Sequence, residues 1–118
     1  MRAAVFCGSA LGTDTIYVKK TEELVKTLAS NNVELVYGGG QVGLMGAVAD
    51  TAVANGINII GVMPKALADH ELAHANLSEL IIVNDMHERK SVMADKADCF
   101  IALPGGAGTL EEFFEVWT

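Results

Sequence analysis

Five short apolar runs, each followed by a stretch of helical character, predict an α/β chain built on a parallel sheet. Composition supports this: 51% of residues are hydrophobic but only 6% aromatic. The apolar content is therefore mostly Ala, Val, Leu and Ile, which suits strands covered on both faces. Strand-like and helix-like stretches alternate throughout, with no low-complexity linker and no internal repeat, the pattern of βαβ units with right-handed crossovers. At 118 residues the chain is expected to form a single Rossmann-like domain spanning residues 1–118, with a doubly wound sheet in the order 3-2-1-4-5.

The elements follow in order. Arg2-Ala3-Ala4-Val5-Phe6-Cys7 reads as a first strand, stopped by Gly8-Ser9. Thr13 or Asp14 can cap a helix to about Ser30, with Ile16, Leu24, Val25 and Leu28 on its apolar side and Asn31-Asn32 as its stop. Val33-Glu34-Leu35-Val36-Tyr37 is a second strand, and Gly38-Gly39-Gly40-Gln41-Val42-Gly43 leads to a helix from about Leu44 to Ala54, ended by Asn55-Gly56. Ile57-Asn58-Ile59-Ile60-Gly61-Val62 is a third strand, and Pro64 opens a helical or irregular segment to about Ala75. Leu80-Ile81-Ile82-Val83 is the fourth strand, Asn84 or Asp85 caps a helix from about Met86 to Lys96, and residues 99–103 form the fifth strand. A last helix opens near Thr109 with no cap or covering element before the sequence stops at Thr118, so the fold is expected to continue further. In the expected strand order the crevice lies outside the C-terminal ends of strands one and four, rimmed by Gly8-Ser9, the glycine triplet, Asn84-Asp85 and the stretch after strand five.

A formal charge of −7 argues against nucleic acid or an anionic membrane as partner, because phosphate backbones need clustered Lys and Arg. A small phosphorylated ligand needs only a few local donors. Cys7 and Cys99 sit in apolar runs and read as small buried hydrophobes in a reducing compartment. His70 and His74 are spaced i, i+4, but no His-Glu-x-x-His pattern surrounds them and no metal site is expected. With no signal-type segment and nothing long enough to span a bilayer, the expected location is cytoplasmic.

Two glycine-rich stretches carry the chemistry. Pro104-Gly105-Gly106-Ala107-Gly108-Thr109-Leu110-Glu111-Glu112 lies between an apolar strand and Phe113-Phe114-Glu115-Val116-Trp117, the start of an amphipathic helix. A strand, a glycine loop and a helix start can hold an anion on unpaired N–H groups. Thr109 and Glu112 also satisfy a capping box, and in an empty site the two roles are compatible. The glycine and threonine half suits a phosphate; Glu112 then turns toward a sugar, and Glu111 supports it or is solvated. Gly38-Gly39-Gly40-Gln41-Val42-Gly43 matches the dinucleotide pattern G-x-G-x-x-G, but it follows the second strand. No acid stands about 20 residues further on to hold a ribose hydroxyl. It reads as a tight strand-to-helix turn with close packing. Arg89-Lys90 lies early in the helix after strand four, and since adjacent helical positions diverge by about 100°, at most one can aim fully at a given atom. A solvated face and a phosphate- or base-contacting arginine are both open there. Glu71 lies in a polar stretch that by itself reads as solvated loop; Met45, Met86 and Met93 read as core or pocket lining.

Taken together these residues resemble the LOG ("lonely guy") family of cytokinin riboside 5′-monophosphate phosphoribohydrolases, relatives of which have been labelled lysine decarboxylases. The family pattern Pro-Gly-Gly-x-Gly-Thr-x-x-Glu is met by residues 104–112, and its Arg-Lys pair by Arg89-Lys90 within Met86-His87-Glu88-Arg89-Lys90. The resemblance extends through Phe6-Cys7-Gly8-Ser9, Tyr37-Gly38-Gly39-Gly40, Gly43-Leu44-Met45-Gly46 and Val62-Met63-Pro64-Lys65. It implies hydrolysis of the N-glycosidic bond of a nucleoside 5′-monophosphate to free base and ribose 5-phosphate, with no cofactor. Arg89 and Glu112 would be the catalytic pair. Substrate contacts would come from Glu71, Arg89, Lys90, Gly106, Ala107, Gly108, Thr109, Leu110, Glu111, Glu112 and Thr118. Phosphate or pocket contacts are expected from Gly8, Ser9, Gly39, Gly40, Gly43, Met45 and Gly105. An AMP-like substrate and a homodimer with a shared site are the partners implied. The residues leave two other readings open: a general purine or pyrimidine nucleotide nucleosidase, and a non-catalytic carrier of a nucleotide or of the molybdenum cofactor.

Overall fold

The computed structural model describes residues 1–7, 16–70 and 73–103. Within them lie β1 (Arg2–Phe6), α1 (Ile16–Ser30), β2 (Glu34–Tyr37), α2 (Gly43–Ala54), β3 (Ile59–Pro64), α3 (Lys65–Ala68), β4 (Glu79–Val83), α4 (Met86–Lys96) and β5 (Cys99–Ala102). All strand pairings among them are parallel. The third strand begins two residues later than the expected Ile57 and runs through Pro64, whose missing N–H ends the ladder. Both early helices stop where the sequence expects. Asn32 takes φ 57° after α1 and Gly56 φ 69° after α2. In each case the next residue's N–H reaches back to a carbonyl of the last turn, Val33 to Leu28 at 3.0 Å and Ile57 to Ala52 at 3.1 Å. The expected cap of the first helix, Thr13 or Asp14, lies outside the described residues.

The strand order is β4-β3-β2-β1-β5, not 3-2-1-4-5. β4 adds to the far side of β3, with Ile60 opposite Glu79 and Pro64 opposite Val83. β5 takes the place beside β1 that β4 was expected to fill, with Ala3 opposite Cys99 and Phe6 opposite Ala102. The reason lies in the connections. Between β3 and β4 stands only α3, four residues long, which cannot cover the sheet while the chain crosses it. The long crossover is α4, which touches β1, β2, β3 and β4. Returning from β4 to β5 means crossing about 19 Å of sheet at ordinary strand spacing. Eleven helical residues cover about 16 Å of that. The point where the chain reverses therefore lies between β1 and β5, and the crevice opens outside their C-terminal ends.

Alternation along the strands sorts the core into two faces. Ala3, Val5, Leu35, Tyr37 and Ile59 pack with Val25 of α1 and Val48, Ala49 and Ala52 of α2. Ala4, Phe6, Val36, Ile60 and Val62 point the other way and pack with Met93 of α4. Val25 is buried as expected from the apolar side of α1, whereas Ile16 at its start is exposed. Cys7 and Cys99 are half-buried, unbridged thiols on the α1/α2 face.

Candidate functional site

The glycine triplet after β2 is the frame on which the described part of the site is built. Gly39 takes φ +84°, a conformation that side chains other than glycine rarely adopt. Gly38 is required for space: a Cβ there would run into the Arg89 guanidinium and approach Met45 Sδ to 3.2 Å. Each of the three glycine carbonyls is bonded by a different part of the chain. Arg89 Nη2 donates to Gly38 O. The His74 backbone N–H donates to Gly39 O at 2.9 Å. The Tyr37 hydroxyl donates to Gly40 O at 2.7 Å. Carbonyl oxygens thus turned into the protein do not face an incoming anion.

Arg89 reaches this loop because α4 is stably started and laid across the sheet. Asp85 caps it by accepting from Glu88 N–H at 2.8 Å, and Glu88 Oε2 accepts from Asn84 N–H at 3.0 Å. One turn later Arg89 is 7% exposed, with Nε donating to Val62 O of β3 at 2.9 Å and Nη1 lying 3.5 Å from Met86 Sδ. Two carbonyls, one in β3 and one in the turn after β2, therefore set the plane of a group that has five donors in a rigid fork. Lys90, next on the helix, is half-buried. Val5, Phe6, Cys7, Gly38, Met45, Arg89 and Met93 line one cleft at the C-terminal end of β1. Met45 and Met93 line it as expected, while Met86 is half-exposed and touches Arg89 from outside.

Burial pushes the Tyr37 phenol well above its ordinary value, Cys7 and Asp50 add to the rise, and Arg89 opposes it. Tyr37 therefore remains a protonated donor to the glycine loop at neutral pH. His74 is not half of a zinc pair with His70. Its Nε2 lies 2.7 Å from Asp50 Oδ1 on α2, and its Nδ1 accepts the Asn76 backbone N–H at 3.1 Å. Among the described residues no group of His, Cys, Asp and Glu is placed to hold a metal ion.

Of the residues singled out in the sequence, the fold brings together Arg89, Gly39, Gly40 and Met45. Gly43 instead opens α2 at φ 63°. The close packing expected of the turn is supplied by Gly46, where a Cβ would collide with the Gln41 carbonyl. Gly8, Ser9, Glu71, Gly105, Gly106, Ala107, Gly108, Thr109, Leu110, Glu111, Glu112 and Thr118 lie outside the described residues. Tyr37, Asp50 and His74 were not legible as site residues. Tyr37 alone carried a signal, as a polar aromatic placed directly before three glycines.

The family described as "Possible lysine decarboxylase" matches residues 45–118, well over half of the chain. The chain belongs to this family. Relatives with curated names include a cytokinin riboside 5′-monophosphate phosphoribohydrolase of Rhodococcoides fascians, 50% identical over 115 residues, covering 97% of this chain and 58% of that protein. A phosphoribohydrolase of the same name from Arabidopsis thaliana is 46% identical over 117 residues, covering 99% of this chain and 55% of that one. The chain thus spans a little over half the length of these curated relatives. Among solved structures, the molybdenum cofactor carrier protein of Chlamydomonas reinhardtii superposes with a TM-score of 0.82 at 22% identity, over 98% of this chain and 69% of that one. A molybdenum cofactor binding protein of Rippkaea orientalis superposes with a TM-score of 0.76 at 21% identity, over 96% and 66%. These two likenesses establish a shared fold. For this family member, the arginine held by Val62 O and Gly38 O is the cationic group that the described residues bring to the cleft.

Proposed function

We propose that the protein hydrolyses the N-glycosidic bond of a nucleoside 5′-monophosphate, of adenine or cytokinin type, releasing free base and ribose 5-phosphate. The observation that carries this reading is Arg89, buried, held by two backbone carbonyls and lining the cleft. The names of relatives about half identical to this chain support it. In the reaction the bond between C1′ and the base nitrogen breaks with its electron pair going to the base. Water supplies hydroxide to C1′ and a proton to the base. Positive charge grows on the ribose as the bond lengthens, and we assign its stabilisation and the orientation of water to the carboxylate of Glu112. Arg89 contributes a fixed positive donor, either to the leaving base or to the phosphate. Gly105, Gly106, Ala107, Gly108 and Thr109 are assigned to the phosphate, which anchors the nucleotide for chemistry at the distant bond. Glu71, Lys90, Leu110, Glu111 and Thr118 complete the proposed contacts, with Gly8 and Ser9 at the rim.

The decarboxylase description finds no counterpart in the cleft. Decarboxylation through pyridoxal phosphate needs a lysine to carry the cofactor as a Schiff base. No lysine lines the cleft among the described residues. We further propose a single domain over residues 1–118, a cytoplasmic location and a homodimer; no described helix is long and apolar enough to cross a membrane.

The test is to incubate the full-length protein with AMP and with isopentenyladenosine monophosphate and to follow free base by chromatography. Base release from the prenylated nucleotide in preference to AMP supports the cytokinin reading, and comparable release from both supports the general nucleosidase. Arg89→Lys and Glu112→Gln are each expected to lower kcat about 100-fold or more, as loss of a preorganised charge does elsewhere. Tight nucleotide binding without base release would replace the reading with that of a carrier.

A further inference from the structure

All five methionines of the chain lie among the described residues, and their surroundings differ. Met63 and Met93 are buried, and Met45 is half-buried where it lines the cleft. Met1 is exposed but stands before β1, at the end of the strand away from the cleft. Met86 joins exposure to a place beside the site. It is 43% exposed on the first turn of α4, and its Sδ lies 3.5 Å from Nη1 of Arg89, three positions on. Residues at that spacing are neighbours on a helix surface. The other two bonds described for the guanidinium, from Nε to Val62 O and from Nη2 to Gly38 O, run to carbonyl oxygens inside the protein. A thioether sulfur is the weakest acceptor of the three. It is also the one whose chemistry a solute can change.

We infer that Met86 is an oxidation site coupled to the cleft: hydrogen peroxide converts its thioether to the sulfoxide, and the sulfoxide resets the Arg89 guanidinium. The sulfur lone pair attacks one peroxide oxygen, so that the S–O bond forms as the O–O bond breaks. The second oxygen leaves with both protons as water. Sulfur is oxidised by two electrons and the peroxide, as co-reactant, is reduced. The product carries a polar oxygen acceptor where a weak one stood. The unbranched methionine side chain can turn that oxygen onto Nη1, and a bond there draws the guanidinium outward against its two carbonyl bonds. The effect on turnover rests on the role given to Arg89 in the proposed reaction; the effect on the guanidinium does not.

The test treats the full-length protein with dilute hydrogen peroxide, followed by a thiol reductant that returns reversibly oxidised cysteines. Peptide mass mapping should find the sulfoxide at Met86 ahead of Met45, Met63 and Met93. The Nε–H nuclear magnetic resonance of Arg89, assigned by its absence in Arg89→Lys, should shift when the wild type is oxidised. It should stay in place on treatment of Met86→Leu, which fills a similar volume without a sulfur. Base release from AMP is read as the ratio after to before treatment within each protein. In the wild type it should fall roughly tenfold, less than a displacement of an ångström costs, because two carbonyl bonds remain. In Met86→Leu it should hold within about twofold. Methionine sulfoxide reductase should return both the resonance and the turnover. The inference is overturned if Met86 resists oxidation, if its oxidation leaves the Arg89 resonance in place, or if Met86→Leu loses turnover as the wild type does. Unchanged turnover in an oxidised wild type that releases base when untreated overturns the coupling to the cleft. If the untreated protein releases no base, the reaction assignment fails separately, and the resonance decides the inference by itself.

Discussion

At the residue scale the site depends on one missing side chain. Gly38 yields the space into which the Arg89 guanidinium fits. Gly38→Ala should therefore displace the arginine, costing about 1–3 kcal/mol of stability as overpacking does. Base release should fall far more, about 100-fold for a shift of an ångström or so. Melting and turnover measured on the same preparation check both halves. Tyr37 makes a second prediction. Its folded pKa lies above the ordinary 10.0, first because of burial. The folded state therefore holds the phenol proton more tightly than the unfolded chain. Its contribution is fully present below pH 10 and is lost as pH rises above 10 toward the folded pKa. Tyr37→Phe should lower stability near neutral pH by about 1–3 kcal/mol, because Gly40 O loses its buried donor. It should also flatten the alkaline decline of stability relative to wild type, as read by urea unfolding at several pH values above 9. The residue-level signals in the sequence were uneven. Arg89 was visible as one member of a rare basic pair, but nothing local indicated which of the two would turn inward. His74 was visible only as a spacing to His70, because its real partner, Asp50, lies on α2, 24 residues away in the chain.

At the scale of elements, local pattern was a good guide to type and extent. The helix expected from Met86 to Lys96 is α4, and its cap falls on Asp85, one of the two candidates named. Asp85→Ala should cost about 1 kcal/mol, measured as a lower urea midpoint with an unchanged slope. Part of that loss should be visible as reduced base release, since Arg89 stands on the first turns of the capped helix. Lateral order was not legible. Alternating runs establish that a strand exists and that its neighbours are parallel, yet the pairing of β4 with β3 is a contact between segments whose patterns say nothing of each other. The deciding feature was modest: four residues of α3 in one connection against eleven of α4 in the next.

At the scale of the whole molecule, the corrected order moves the crevice from between the first and fourth strands to between β1 and β5. Phe6 ends one strand and Ala102 the other, in register, and Leu103 N–H still bonds Phe6 O at 2.8 Å. The glycine motif assigned to phosphate begins directly after Leu103 in sequence, so the chain enters it from the reversal point itself. With a net charge of −7, the proposed phosphate site would have to rest on local donors rather than on a basic surface. Adenosine, lacking the phosphate, should accordingly be cleaved at least about 100-fold less efficiently than AMP, with the loss falling in kcat as well as KM because remote binding energy is used at the reacting bond. Parallel assays over a range of both substrates check this.

By itself the sequence determined the class of fold, the type of each described element, the glycine turn after β2 and the basic pair, because these are written in periodicity, capping residues and residue-specific backbone freedom within a few positions of each other. Only the tertiary structure decided which strand stands beside β1, that Arg89 turns inward onto Val62 and Gly38, and that Tyr37 and His74 bond the carbonyls of Gly40 and Gly39 while Asp50 pairs with His74. Those are contacts between segments far apart in the chain, and they exist only once the helices have been laid on the two faces of the sheet.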